Sequence, residues 1–112
     1  MKEKNITISF QIKVANSFFA RLKGLMFRKD PIKNEGLLII PCNAVHMFFM
    51  KFPIDIVLLN KQNEVVKVYQ NLKPWRMTKP EKNAYSTLEL PAGSINQFGI
   101  RVGSIIHCTN IH

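Results

Sequence analysis

The chain has 112 residues, 46% of them hydrophobic and 21% charged, with a formal net charge of +9 at neutral pH. That length fits one domain spanning 1–112 with a real core, the composition argues against disorder, and no apolar run nears the roughly 20 residues of a membrane span. The charge invites a nucleic-acid partner, but the basic residues spread from Lys2 to Arg101, and phosphate binding needs a patch rather than a total.

Ile6, Ile8, Phe10, Ile12 and Val14 alternate with polar residues, the period of a strand with one buried face. This alternation follows the N-terminus where a signal peptide would carry an apolar core, so a cytosolic protein is expected. Asn16 is placed to cap a short helix carrying Phe18, Phe19 and Leu22 and ended by Gly24, and Pro31 closes a turn over 28–31. Gly36 opens a strand over 37–40 that is apolar on both faces and therefore central, stopped by Pro41. A strand over 54–59, a polar loop over 60–64 and a return strand over 65–69 form a hairpin.

The stretch 71–83 is polar, basic and proline-containing, with Trp75 in its middle, and reads as a long loop. The residue type favours an indole folded back as a lid on the core. A strand over 85–90, a short helix around 95–98 closed by Gly99 and a last strand over 105–111 complete the chain. The expected class is α+β and β-rich: six or seven short strands curled into a barrel-like or two-layer sheet, with two short helices at connections.

Chemistry concentrates in 41–60, the most apolar part of the chain. Cys42 and His46 are spaced to share a metal ion if the chain bends; in an extended strand they stand roughly 13 Å apart and cannot. Neither cysteine, Cys42 or Cys108, has the close partner of a zinc knuckle or a disulfide framework, so free thiols are expected, and the Cys42–His46 pair is a weak metal candidate. Asp55, between Ile54 and Ile56, must face solvent or find donors. It either accepts backbone amides or pairs with His46, Lys51 or Arg21; paired with His46 it could support proton transfer. Cys42 with His46 also fits nucleophilic cysteine catalysis. Lys73, Trp75, Arg76 and Lys79 set an aromatic surface among cations, suited to a base or an anionic ligand.

Several separated motifs resemble those of domain-of-unknown-function family 192: Arg21-Leu22-Lys23-Gly24-Leu25-Met26, Gly36-Leu37-Leu38, His46 with Phe49-Met50-Lys51 and Pro53-Ile54-Asp55, and Leu88-Glu89-Leu90-Pro91-Ala92-Gly93 with Gly103. The resemblance covers nearly the whole chain. It implies a small β-rich domain and brings no agreed activity, cofactor or partner. The family commonly has Gly-Asp before its last strand; this chain has Gly103-Ser104. The expected function is a binding or accessory module whose small ligand or protein partner meets Arg21, His46, Lys51, Asp55, Trp75 and Arg76. A small enzyme using His46 with Asp55 or Cys42, and a nucleic-acid binder using the Trp75 loop, are the alternatives.

Overall fold

The alternation near the N-terminus becomes β1 (Asn5–Ala15), which buries Ile6, Ile8, Phe10, Ile12 and Ala15 and exposes the residues between, Val14 included. The computed structural model describes residues 4–16 and 28–111. Beyond β1 the strands are β2 (Glu35–Ile39), β3 (Ile54–Leu59), β4 (Val65–Leu72), β5 (Ser86–Pro91) and β6 (Ile105–Ile111), with a short helix at Ser94–Phe98. They form a single sheet in the order β4-β3-β5-β2-β1-β6. β1 runs parallel to both its neighbours, and every other pairing is antiparallel.

Two apolar layers sandwich this sheet. On one face Leu37, Ile39, Ile54, Ile56 and Leu58 pack with Ile32, Val45, Met47, Met50 and Phe52. On the other, Ile6, Ile8, Phe10, Ile12, Val57, Leu59, Leu88 and Leu90 pack with Ile95 and Ile100, and Phe10 meets Phe98 of the helix edge-on, ring centroids 5.0 Å apart. Strands at the centre are therefore covered on both sides: all of β3 is buried, and β5 is buried except for Pro91. The apolar run of β3, broken only by Asp55, follows from that position, since neither face meets water, while β5 buries Ser86, Thr87 and Glu89 there as well.

Gly36 shows how tightly β2 is wedged in. A Cβ there would come within 2.8 Å of the Glu89 carbonyl oxygen and 2.9 Å of Ile12 Cδ1, closer than real contacts allow, so the strand can lie between β1 and β5 only without a side chain at this point.

The hairpin is held by Asn60, whose Oδ1 accepts the amides of Gln62 and Glu64, both at 2.9 Å, while Asn63 takes the left-handed conformation (φ 62°) that asparagine tolerates. β4 runs three residues past the expected Tyr69, because a register shift between Ile54 and Ile56 lets Leu72 pair with Ile54. Ser104 accepts the Arg101 amide on Oγ at 3.1 Å and closes the turn into β6.

The architecture is β-rich with little helix, and one expectation is corrected. The sheet is not closed into a barrel: its edges meet only at one corner, where Val65 N donates to Ser104 O (2.8 Å) and Ile106 N to Asn63 O (2.9 Å). Past that corner β4 and β6 form no ladder, being paired on their inner sides to β3 and β1. Of the two expected helices one is present at Ser94–Phe98; the one expected after Asn16 lies outside the described residues.

Candidate functional site

Two loop segments, one carrying His46 and one carrying Trp75, are tied together by main-chain hydrogen bonds. Met47 N donates to Arg76 O (2.7 Å), Trp75 N to Met47 O (2.8 Å), Thr78 N to Val45 O (2.9 Å) and Glu81 N to Asn43 O (3.0 Å), and His46 faces Met77 in an antiparallel bridge. Buried Thr78 adds its hydroxyl, which accepts the Val45 amide at 3.0 Å. Val45 and Met47 anchor the pair by inserting into the apolar layer over β3. What would otherwise be a long loop is thus held against the core.

Alternation then decides what faces out. Val45, Met47 and Met50 are buried, which leaves Phe49 and Met77 at 45% and 62% exposure, and Trp75 at 59%. The expected indole lid is not what forms. Phe48 stacks on the Trp75 ring (5.7 Å between centroids, planes 29° apart), Phe49 meets it edge-on at 5.1 Å, and the His46 ring lies 4.8 Å from Phe48 at 35°. His46, Phe48 and Trp75 therefore make a short column of tilted rings on the surface. The Phe48 amide donates to His46 Nδ1 at 3.3 Å, so in the neutral imidazole the proton sits on Nε2.

Phe49 and Trp75 both occupy the left-handed region, at φ 66° and 68°. For a bulky residue that conformation costs of order 1–3 kcal/mol and needs its surroundings to hold it. Here the Met50 N to Met47 O bond (3.2 Å) closes the turn at Phe49 and the Trp75 N to Met47 O bond fixes the indole. Charge is one-sided in the two segments that carry the rings: 41–53 and 72–80 contain Lys51, Lys73, Arg76 and Lys79 and no acidic residue, and all four cations are exposed.

Asp55 belongs to a different place. It is 1% exposed, and its carboxylate accepts three main-chain amides: Asn71 at 2.8 Å on Oδ1, with Gly93 at 3.2 Å and Ile95 at 2.8 Å on Oδ2. Strand alternation puts it on the side of Val57 and Leu59, the face covered by the short helix, whereas Val45 and Met47 beside His46 cover the opposite face. The proton-transfer pairing of His46 with Asp55 is thereby corrected: the sheet lies between the two layers. The alternative reading, a carboxylate satisfied by backbone amides, is what forms, and the amides come from the end of β4 and the start of the helix.

Half-buried Cys42 turns its thiol to the Ala44 carbonyl at 3.0 Å, and its own carbonyl accepts the Thr87 hydroxyl at 3.0 Å. Cys42 and Cys108 are both free thiols on opposite layers, and burial pushes the Cys108 thiol up from its ordinary value, which keeps it protonated. Among the described residues no three His, Cys, Asp or Glu side chains come together as a metal-holding group. Lys51 and Arg76, two residues beyond Phe49 and one beyond Trp75 in the chain, are exposed; Arg21 lies outside the described residues.

Sequence reasoning overlooked Phe48, Phe49 and Met77. The signal was present, because four consecutive apolar residues over 47–50 outside a regular strand cannot all face inward. It also passed over Glu89, which alternation within β5 marks as a solvent-facing residue and which is fully buried because β5 is central.

Fold and site together define a small β-rich domain with a surface aromatic platform mounted on its sheet. The chain belongs to domain-of-unknown-function family 192 (Uncharacterized ACR), whose model matches residues 1–108. It is 33% identical over 111 residues to a UPF0127 protein of Thermococcus sibiricus, covering 94% of this chain and 70% of that one. With UPF0127 protein PF1050 of Pyrococcus furiosus it shares 34% identity over 105 residues, covering 89% and 88%. A crystal structure of a protein of unknown function from Novosphingobium aromaticivorans superposes with a TM-score of 0.71 at 26% identity, covering 84% of this chain and 71% of that one. A putative transcription regulator from Sinorhizobium meliloti gives a TM-score of 0.71 at 21% identity over 82% of this chain and 76% of the other, a likeness of fold alone. No helix among the described residues is long and apolar enough to cross a membrane.

Proposed function

We propose that the chain is a cytosolic, single-domain binding module whose ligand docks on the rings of Phe48, Phe49 and Trp75 beside His46, with Lys51 and Arg76 at the rim. Two free thiols agree with a reducing compartment. The observation that carries the reading is the pair of left-handed aromatic residues, Phe49 and Trp75. Unfavourable backbone here holds large apolar rings in water, where covering the core alone would turn them inward, and such strain gathers at ligand clamps and active sites. Asp55 contributes indirectly: by holding Asn71 it fixes the end of β4, two residues before Lys73, from which the Trp75 segment departs.

The test is amide-resolved NMR with millimolar indole-3-acetate, benzoate and adenosine as ring probes. Shifts that concentrate on His46, Phe48, Phe49, Trp75 and Met77, including the indole N–H, are the expected result. Shifts confined to other surfaces, or none with any probe, overturn the proposal.

A further inference from the structure

Resting on the platform as the ligand site, we infer that its ligand is a single-stranded nucleic acid, with bases continuing the column of rings and phosphates meeting the four surrounding cations. The column is the first observation. His46, Phe48 and Trp75 follow one another at 4.8 and 5.7 Å with planes 35° and 29° apart, an arrangement that ends in a residue still 59% exposed. One side of the indole is occupied by Phe48, and Phe49 braces it edge-on at 5.1 Å. The exposed part of the indole is where a base would stack, and because every base has a π-face the contact is tolerant of sequence.

Charge is the second and independent observation. Lys51 lies two residues beyond Phe49, Lys73 two before Trp75, Arg76 directly after it and Lys79 two beyond Met77, with no carboxylate in either segment. The nearest acidic side chains along the chain are Asp55, buried and consumed by three amides, and half-buried Glu81. Cations beside exposed aromatic rings are the pattern of single-strand binding, and four exposed cations on two segments bonded to each other are more than the total of +9 could establish by itself.

Duplex fits less well. Stacking requires an unpaired base face, and the one helix among the described residues, Ser94–Phe98, has five residues and sits on the layer opposite the rings. An anionic membrane would also attract lysine and tryptophan, but rings that pack on one another present a face for stacking and not separate wedges for insertion. Peripheral membrane binding is thus the outcome the experiment must separate.

The experiment is fluorescence anisotropy of the full chain with labelled oligo-U and oligo-dT of about ten nucleotides, within the span single-strand sites occupy. A duplex of equal length, heparin, and vesicles of phosphatidylserine with phosphatidylcholine serve as competitors. Oligomer binding should weaken with salt, log K falling against log salt with a slope no steeper than about −3 for four phosphate contacts, and Lys73→Gln or Arg76→Gln should each lower that slope by about 0.7. Trp75→Ala should weaken binding about 5- to 150-fold at unchanged slope, while Trp75→Phe restores most of it; unchanged thermal unfolding shows that the variants are folded. Whichever oligomer binds more tightly identifies RNA or DNA as the source of the strand.

Equal competition by heparin or duplex with no effect of Trp75→Ala reduces the site to unspecific charge and overturns the inference. Capture by vesicles without oligomer binding also overturns it, in favour of a membrane surface. Oligomers that fail to bind while the NMR ring probes still shift the platform remove the nucleic acid and leave the binding site standing.

Discussion

Asp55 is a charge placed where the chain has most to lose from it. Taken into the interior alone it would be costly, yet each oxygen is met by main-chain N–H groups that the fold would otherwise leave unpaired, one at the end of β4 and two where the short helix begins. The residue therefore joins three parts of the chain distant in sequence. Hydrogen bonds to a charged group contribute about 1.5–3 kcal/mol each, and unpaired buried donors carry their own penalty. Asp55→Ala is expected to lower the unfolding free energy by about 3 kcal/mol or more, a large part of a typical 5–15 kcal/mol. Asp55→Asn, which keeps one oxygen, should lose less. Urea denaturation of both variants measures this, and equal, small losses would show that the amides find water instead. From the sequence, a carboxylate between two isoleucines was legible as anomalous; its partners were not, because they lie 16 to 40 residues away and only the pairing of β3 with β4 and β5 brings them near.

At the scale of the element, the two tied loop segments show where composition misleads. A tryptophan in a long polar loop reads as a lid, since so large an apolar side chain is usually covered. The main-chain bonds from Trp75 and Arg76 to Met47 and Lys73 leave the indole outward instead, and no residue type announces such a ladder. Left-handed backbone at Phe49 gives a direct measure of the strain. Replacing Phe49 by Ala or by Gly removes the same ring contact with Trp75, but only glycine also relieves the φ of 66°, a difference of about 1 kcal/mol between the variants. Phe49→Gly should therefore be the more stable of the two, against the usual order in which glycine costs stability through the entropy of the unfolded chain. Thermal unfolding of the pair checks this, and a less stable glycine variant would mean that the turn is not held as described.

Over the whole molecule, burial patterns were readable and pairings were not. Alternation in β1, the doubly apolar run of β2 and the hairpin of β3 with β4 all follow from residue period and turn chemistry. That β5 is threaded between β3 and β2, or that β1 takes parallel partners on both sides, cannot be read the same way, because a run of buried residues is equally content beside any strand that covers it. The order matters for dynamics as well as for shape. β3 and β5 are covered on both faces and bonded along both edges, so their amides open only when the sheet itself comes apart. β6 has one partner, β1, beyond the corner it shares with β4, and its residues 107–111 are exposed or half-buried with a register shift beside them. Local opening is cheap where few apolar contacts resist it. Amide hydrogen exchange should accordingly show Ile56, Val57 and Leu88 exchanging with the free energy of global unfolding, and residues 109–111 exchanging much sooner. The amides of Met47, Trp75 and Thr78 decide how the platform is mounted. Bonded across the two segments and anchored through Val45 and Met47 in the core layer, they should be protected well above β6, and exchange as fast as at the open edge would mean a platform that forms only when a ligand arrives.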